Sequence, residues 1–159
     1  MAGNSKLGGP VAVASDHAGF ELKQAVSAYL KQSGFEVVDF GTDSLASCDY
    51  PDYARQAAQA VSKGQCGSGV ICCGSGIGVS IVSNKVRAVR AALVHDSEQA
   101  RLSRNHNNAN VVCLAGRSTK NEDLPGILDS FFKSEFEGGR HERRVNKIEA
   151  PRSGEQGLY

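Results

Sequence analysis

Short apolar runs alternate with longer segments of helical periodicity along this chain of 159 residues. Each run has the length of one buried strand. The five runs are 11–15, 36–40, 69–72, 90–94 and 111–115. Strands that alternate with helices form a mostly parallel sheet with helices on both faces. The alternation therefore predicts a three-layer α/β fold with a five-stranded, mostly parallel sheet and one domain over residues 11–150.

Helical periodicity fills the segments between these runs. The predicted helices cover 20–33, 53–63, a stretch after a glycine-rich loop, 97–104, a segment that starts at 124, and 140–149. Residues 41–52 and 105–110 are predicted to be loops because polar and turn-forming residues dominate them. Residues 1–10 and 151–159 are predicted to be a flexible N-terminal extension and a flexible tail.

Polar residues follow the predicted strands at the point where each strand ends. In a parallel sheet the carboxyl ends of the strands meet at one edge, and ligands bind beyond that edge. We therefore expect the chemistry of the chain to lie there. The segments that reach the edge are Asp16-His17, 41–50, the loop from Cys73, His95-Asp96 and Gly116-Arg117.

The overall charge is nearly balanced, with a formal net charge of +1 and 22% charged residues. This balance gives no electrostatic reason to expect nucleic acid or a membrane as a partner. No apolar run approaches the ~20 residues that a membrane-spanning helix needs. The N-terminal residues lack the apolar core of a signal peptide, so we expect a cytoplasmic protein.

The cysteines indicate free thiols. Their number, five, is odd, and no two have the Cys-x-x-Cys spacing of a zinc ribbon. Disulfides are also rare in a reducing cytosol. The positions are Cys48, Cys66, Cys72, Cys73 and Cys113. Neither a disulfide framework nor a zinc site is therefore expected.

The stretch from Val70 to Lys85 combines a buried strand, a glycine-rich loop and a helix start. Glycines at 74, 76 and 78 let the backbone approach a ligand, and the N–H groups of a first helical turn favour negative charge. Cys73 opens the loop, and a helix N-terminus stabilises a thiolate. The stretch therefore offers a nucleophile or base beside a place for an anion. The alternative is a structural cysteine like Cys72, since thiols are common in protein cores.

Two other classes of glycine-rich loop are comparable with this stretch. A cysteine phosphatase loop needs an arginine at the position of Val79, so that class is excluded. A dinucleotide-binding loop has the pattern Gly-x-Gly-x-x-Gly after a first strand, with an acidic residue about 20 positions further on. Here the last glycine comes one residue early and the loop follows the third strand, although Asp96 lies 20 residues after Gly76. A non-catalytic nucleotide-binding module therefore remains an alternative.

Two histidines stand beside polar residues that suit sugar chemistry. Asp16 and His17 follow the first strand, where a carboxylate and an imidazole can bind hydroxyl and phosphate oxygens. His106 precedes Asn107 and Asn108, and an imidazole can act as a general acid or base near neutral pH. Each has a structural alternative: Asp16 suits a helix N-cap, and the composition of 106–108 suits a turn.

Basic residues cluster on the last predicted helix. Arg140 and Arg144 are four positions apart and share one face, so together they can clamp a phosphate. The alternative is a solvated face, on which Glu142 and Glu149 balance part of the charge.

Four motifs carry a resemblance to a known family. In chain order they are Ser15-Asp16-His17-Ala18-Gly19, Cys73-Gly74-Ser75-Gly76-Ile77-Gly78, Arg104-Asn105-His106-Asn107-Asn108-Ala109-Asn110 and Glu137-Gly138-Gly139-Arg140-His141. Together they resemble the type B ribose-5-phosphate isomerases of the ribose/galactose isomerase family. The related galactose-6-phosphate and allose-6-phosphate isomerases share that architecture. The match runs from about Val11 to Glu149.

The resemblance implies a Rossmann-like fold and a homodimer, often paired into a tetramer, with active sites built from both subunits. It implies neither a metal nor a nucleotide cofactor. One branch of the family uses cysteine as the base, and the other uses a glutamate after the glycine loop. This chain has Cys73 and carries Val79 at the glutamate position, so it resembles the cysteine branch. It departs from the family at its two termini and at 86–89, where a glycine-containing turn is usual.

The implied reaction interconverts D-ribose 5-phosphate and D-ribulose 5-phosphate through a cis-enediolate, in the non-oxidative pentose phosphate pathway. His106 is the expected acid–base for ring opening, Asp16 its helper at the sugar hydroxyls, and Cys73 the base at C2. Ser75 and the backbone N–H groups of Gly74, Gly76, Ile77 and Gly78 are expected to stabilise the enediolate. The residues expected at the phosphate are His17, Arg117, Arg140 and Arg144, and those expected at the sugar are Tyr50 and Asn107.

Two further alternatives follow from this resemblance. The substrate could be an aldohexose 6-phosphate of the allose or galactose type, because the chemistry would be the same. A protein that binds a phosphosugar without turning it over is the other alternative. The intact set of Asp16, Cys73, Ser75 and His106 argues against it.

Overall fold

The computed structural model describes residues 7–150. The predicted tail, 151–159, lies outside this range, and so do residues 1–6 of the predicted N-terminal extension. Eleven helices and strands follow one another in this range. They are β1 (Val11–Ser15), α1 (Phe20–Gln32), β2 (Val37–Asp39), α2 (Tyr50–Ser62), β3 (Ser68–Cys73), α3 (Ile77–Ser83), β4 (Ala91–Leu93), α4 (Ser97–Asn107), β5 (Val111–Ala115), α5 (Leu124–Lys133) and α6 (Arg140–Glu149). None of these helices is long and apolar enough to cross a membrane.

The five strands form one sheet in the order β2-β1-β3-β5-β4, and every neighbouring pair is parallel. The predicted α/β fold with a five-stranded parallel sheet is confirmed. After β1 the chain continues to β2 at one edge of the sheet, and after β3 it continues to β4 at the opposite edge. The strand order therefore switches direction between β1 and β3, and the crevice beyond their carboxyl ends is the place where such sheets bind ligands.

Helices cover both faces of the sheet, which makes the fold three-layered. On one face, Leu22 and Val26 of α1 and Ile127 and Phe131 of α5 pack against the central strands. On the other face, α2 and α3 pack closely because α2 presents small residues: Ala54, Ala57 and Ala58. All residues of β1, β3 and β5 are buried, which explains why these strands are continuous apolar runs in the sequence.

The predicted boundaries that bear on the site are wrong by about one turn or less. The second helix begins at Tyr50 rather than at 53, because Pro51 fits the first turn of a helix, where its missing N–H has no partner to lose. The fourth helix continues to Asn107 and ends where Asn108 adopts a left-handed conformation with φ of 47°. His106 and Asn107 therefore lie in a last helical turn and not in a loop. The third strand includes Cys73 as its final residue.

Candidate active site

A cavity of about 400 Å³ opens at the switch point between β1 and β3. Its lining comes from the carboxyl ends of β1, β3 and β5, from the start of α2 and from α3. The residues are Asp16, His17, Ala18, Tyr50, Cys73, Gly74, Ser75, Ile77, Gly78, Ile81 and Arg117. Most of the residues that the sequence predicted for the site are thus brought together by one edge of the sheet.

Cys73 ends β3 and faces the side of the sheet opposite to Cys72, because adjacent strand residues alternate. Cys72 is fully enclosed, and burial raises the pKa of its thiol. Cys73 is 4% exposed and borders the cavity. The backbone N–H of Gly76 donates a hydrogen bond to its sulfur across 3.2 Å. Of the two neighbouring thiols, only Cys73 is thus placed to react with a ligand.

The glycines of the loop are needed for close packing. Gly76 has φ of +73°, and a Cβ there would come within 2.5 Å of Leu93 Cδ1. A Cβ on Gly74 would lie 2.9 Å from Cζ of Arg117. A Cβ on Gly78 would lie 2.6 Å from the Tyr50 ring. The missing side chains therefore let an arginine and a tyrosine pack directly against the loop.

Two of the backbone amides predicted to face the enediolate have partners inside the loop. The Gly76 N–H donates to the Cys73 sulfur, and Gly76 does not line the cavity. The N–H of Ile77 donates to Oγ of Ser75 across 3.2 Å. These two hydrogen bonds hold the side chains of Cys73 and Ser75. Of the glycines in the loop, Gly74 and Gly78 line the cavity.

Asp16 and His17 leave β1 directly into the cavity, and each has a fixed partner. Oδ1 of Asp16 accepts a hydrogen bond from the N–H of Gly19 across 3.0 Å, just before α1. Nδ1 of His17 accepts one from the N–H of Cys48 across 3.2 Å. Asp16 thus has the turn-capping contact that its sequence position suggested and lines the cavity as well.

Besides Gly76, four predicted site residues do not line this cavity: His106, Asn107, Arg140 and Arg144. The reason is the direction of α4. It starts after the carboxyl end of β4 and runs back for about 16 Å, at ~1.5 Å per residue. Its end lies at the amino edge of the sheet, where Nε of Arg90 donates to the carbonyl of Asn107 across 3.1 Å. Within one chain, the predicted acid–base His106 therefore lies at the edge opposite to Cys73.

The side chains at this second edge form a cluster of their own. The rings of His106 and His141 stack with centroids 4.2 Å apart and planes 5° from parallel. Oε2 of Glu137 lies 3.9 Å from Nε2 of His106 and 3.7 Å from Nε2 of His141. Burial and the neighbouring His106 and Arg140 lower the pKa of His141. A histidine pair and a carboxylate thus stand beside the arginines of α6.

His106, Glu137 and His141 are also the group, among residues 7–150, whose donor atoms lie close enough to hold a metal ion. An imidazole binds a metal in the plane of its ring, so two parallel stacked rings cannot both bind one ion without rotating. Nε of Arg140 also donates to Nε2 of His141 across 3.5 Å. The arrangement fits a stacked histidine pair better than a metal site.

Sequence reasoning missed several residues of these two groups. Ala18 and Ile81 line the cavity, and Ile81 could have been found because it lies one helical turn after Ile77. Glu137 and His141 belonged to a recognised motif, and their spacing of four positions places them together. Asp96, considered as a ribose-binding acid, caps α4 by accepting the N–H of Gln99 across 2.7 Å.

Comparisons with known proteins show which family this chain is similar to. The profile of the Ribose/Galactose Isomerase family matches residues 11–148. A probable ribose-5-phosphate isomerase B from Mycoplasma pneumoniae is 44% identical over 140 residues, which cover 87% of this chain and 92% of that protein. Ribose-5-phosphate isomerase B from Escherichia coli is 41% identical over 140 residues, which cover 88% of this chain and 94% of that protein.

Solved structures show the same similarity. The ribose-5-phosphate isomerase B of Clostridium thermocellum superposes with a TM-score of 0.87 at 44% identity, covering 88% of this chain and 95% of that one. That of Mycoplasma genitalium, solved with bound ribulose-5-phosphate, superposes with a TM-score of 0.85 at 44% identity, covering 88% of this chain and 93% of that one.

Proposed function

The chain belongs to the ribose/galactose isomerase family, and we propose that it interconverts D-ribose 5-phosphate and D-ribulose 5-phosphate. The observation that carries this proposal is the placement of Cys73 in the switch-point cavity, with Asp16, Ser75 and Arg117 around it. The proposal gives the enzyme a place in the cytoplasm, in the non-oxidative pentose phosphate pathway. The free thiols of all five cysteines agree with a reducing compartment.

Proton transfer between C2 and C1 is assigned to Cys73. Its thiolate takes the C2 proton, and negative charge moves to the carbonyl oxygen O1. The hydroxyl proton then passes from O2 to O1, and the Cys73 thiol returns its proton to C1, which leaves the carbonyl at C2. Ser75 and the amides at the cavity wall stabilise the oxyanion, and losing one such donor typically costs ~3–4 kcal/mol. Asp16 binds the sugar hydroxyls, and Tyr50 closes the cavity against Gly78.

Ring opening and most of the phosphate binding are assigned to residues at the amino edge of the sheet, opposite to the cavity. His106 transfers the proton that opens the furanose, and Asn107 binds the sugar. Arg140 and Arg144 bind the phosphate, together with Arg117 and His17 from the cavity. Binding the remote phosphate orients the reacting end of the sugar.

We propose that a homodimer unites the two edges, so that each site takes residues from both chains. Two exposed apolar patches support this proposal. At the cavity rim, α3 presents Ile77 and Ile81, which are 53% and 56% exposed. Ile148 is 62% exposed and lies on the same face of α6 as Arg140 and Arg144. A two-fold interface that covers both patches would bring the arginines and His106 of one protomer to the cavity of its partner.

An assay of the ketose phosphate formed from each aldose phosphate tests the proposed function. Ribose 5-phosphate, allose 6-phosphate and galactose 6-phosphate are compared with the full chain, without added metal or nucleotide. We expect the highest kcat/KM for ribose 5-phosphate. A higher value for either hexose phosphate would reassign the substrate. Absence of turnover of all three, together with calorimetric binding of NAD or ATP, would replace the isomerase by a nucleotide-binding module.

A further inference from the structure

The contact between His17 and Cys48 determines which nitrogen of the imidazole carries the proton. The backbone N–H of Cys48 lies 3.2 Å from Nδ1 of His17 and can only donate. Nδ1 must therefore be the unprotonated nitrogen of a neutral ring, which leaves the proton on Nε2. Because His17 lines the cavity, we infer that the Cys48 amide fixes His17 as a neutral Nε2–H donor to the bound sugar phosphate.

The segment that carries Cys48 is held at both of its ends. Lys23 is 1% exposed, and its Nζ donates to the carbonyl of Thr42 across 2.6 Å and to both carboxylate oxygens of Asp39. The N–H of Thr42 donates to the carbonyl of Ser15 across 2.7 Å, and the N–H of Ser15 donates to the carbonyl of Gly41. One end of the segment is thus held against the strand that leads to His17.

The other end of the segment is held by the helix that follows it. Tyr50 begins α2, and its ring packs against Gly78 at the cavity. Cys48 lies two residues before that point. With both ends held, the Cys48 amide stays close to the carboxyl end of β1.

The tautomer determines which cavity side chains can donate a hydrogen bond and which can accept a proton. A neutral Nε2–H can donate to a hydroxyl, phosphate or enediolate oxygen, and it cannot accept a proton at that nitrogen. Proton acceptance is then left to Cys73 and Asp16, while the positive charge comes from Arg117. Only the identity of the bound oxygen depends on the proposed function; the tautomer itself does not.

Nitrogen NMR of the full chain labelled with ¹⁵N-histidine tests the inference directly. The His17 signals are assigned by their loss in His17→Gln. We expect a chemical shift of an unprotonated nitrogen at Nδ1 and of a protonated one at Nε2 near neutral pH. The reverse pattern, an average of the two, or a doubly protonated ring would overturn the inference.

Substitution of Cys48 tests the role of its amide. Cys48→Pro removes the N–H, whereas the matched control Cys48→Ala keeps it. We expect the tautomer to become mixed in Cys48→Pro and to stay as in the parent protein in Cys48→Ala. An unchanged tautomer in a folded Cys48→Pro variant would show that the amide does not set it.

Two substitutions of His17 itself test the Nε2–H donor without changing the segment that carries Cys48. The side-chain amide nitrogen of glutamine can replace Nε2, and that of asparagine replaces Nδ1. We expect kcat/KM of His17→Gln to exceed that of His17→Asn by roughly tenfold, the effect of one hydrogen bond. Equal values, or a better Asn variant, would contradict the Nε2–H donor. If the chain turned over no sugar phosphate, the NMR result would still stand.

Discussion

The backbone N–H of Gly76 donates a hydrogen bond to the sulfur of Cys73 across 3.2 Å. This contact holds the sulfur at the end of β3, beside the cavity that Cys73 borders. Gly76 reaches this position through a left-handed turn, with φ of +73°. The glycine loop therefore acts on the cysteine as well as on the ligand.

Replacement of Cys73 by alanine should remove proton transfer while leaving phosphosugar binding in place. A general base typically contributes about 10²–10⁴-fold, and we expect turnover to fall by at least that much. The measurement is release to solvent of deuterium carried at C2 of ribose 5-phosphate, with calorimetry for binding. Cys72→Ala is the matched control, since Cys72 packs on the opposite face of the sheet. Near-normal turnover of Cys73→Ala would rule out the cysteine base.

His106→Gln should impair ring opening and spare proton transfer. Ribose 5-phosphate is a furanose that must open, whereas ribulose 5-phosphate has its C5 hydroxyl blocked by phosphate and is acyclic. We expect turnover of ribose 5-phosphate to fall about 10²-fold or more, the usual range for a general acid. Exchange of the C1 proton of ribulose 5-phosphate with solvent should persist. Equal loss of both rates would move His106 from ring opening to the isomerisation step.

Mixing two inactive variants should restore activity if sites are shared between protomers. In a dimer of Cys73→Ala with His106→Gln, one site carries both substitutions and the other carries neither. After random exchange of equal amounts, two-fold symmetry predicts about a quarter of the parental activity. The assay follows the mixture after mild dissociation and reassociation. Activity no higher than that of the separate variants would place both residues in the site of a single chain.

Arg140→Ala and Arg144→Ala should each raise KM for ribose 5-phosphate. A hydrogen bond to a charged group contributes about 1.5–3 kcal/mol, which corresponds to roughly a 10–100-fold change. Arg143→Ala is the control, because Arg143 lies on the same helix and its substitution removes the same charge. Steady-state kinetics at constant ionic strength gives the comparison. Unchanged KM in both clamp variants would place the phosphate elsewhere.

The thiols should differ sharply in their reaction with alkylating reagents. Burial raises the pKa values of Cys72 and Cys113, so both stay protonated and unreactive in the folded chain. We expect iodoacetamide to label Cys73 at the cavity and the half-buried Cys48 first. Mass spectrometry of native samples, with and without ribulose 5-phosphate, identifies the labelled sites. Protection of Cys73 by the sugar is expected, and prior labelling of Cys72 would contradict the fold.

The sequence by itself determined the sheet and one edge of the site. Apolar runs and helical periodicity are local patterns, and in a parallel sheet they also fix where each strand ends. Asp16, Cys73 and Arg117 lie at or just after such ends, so their meeting in one cavity was predictable. The four motifs added the family, because their order and residue types are specific.

Only the tertiary structure decided how the remaining residues relate to that cavity. His106 looked like a loop residue, yet α4 continues through it and carries it to the opposite edge of the sheet. The packing of Tyr50 on Gly78, and of Arg117 on Gly74, depends on elements far apart in sequence. The same is true of the Cys48 amide at His17, 31 residues away. Such contacts depend on where whole elements pack, and no local pattern of residues encodes that.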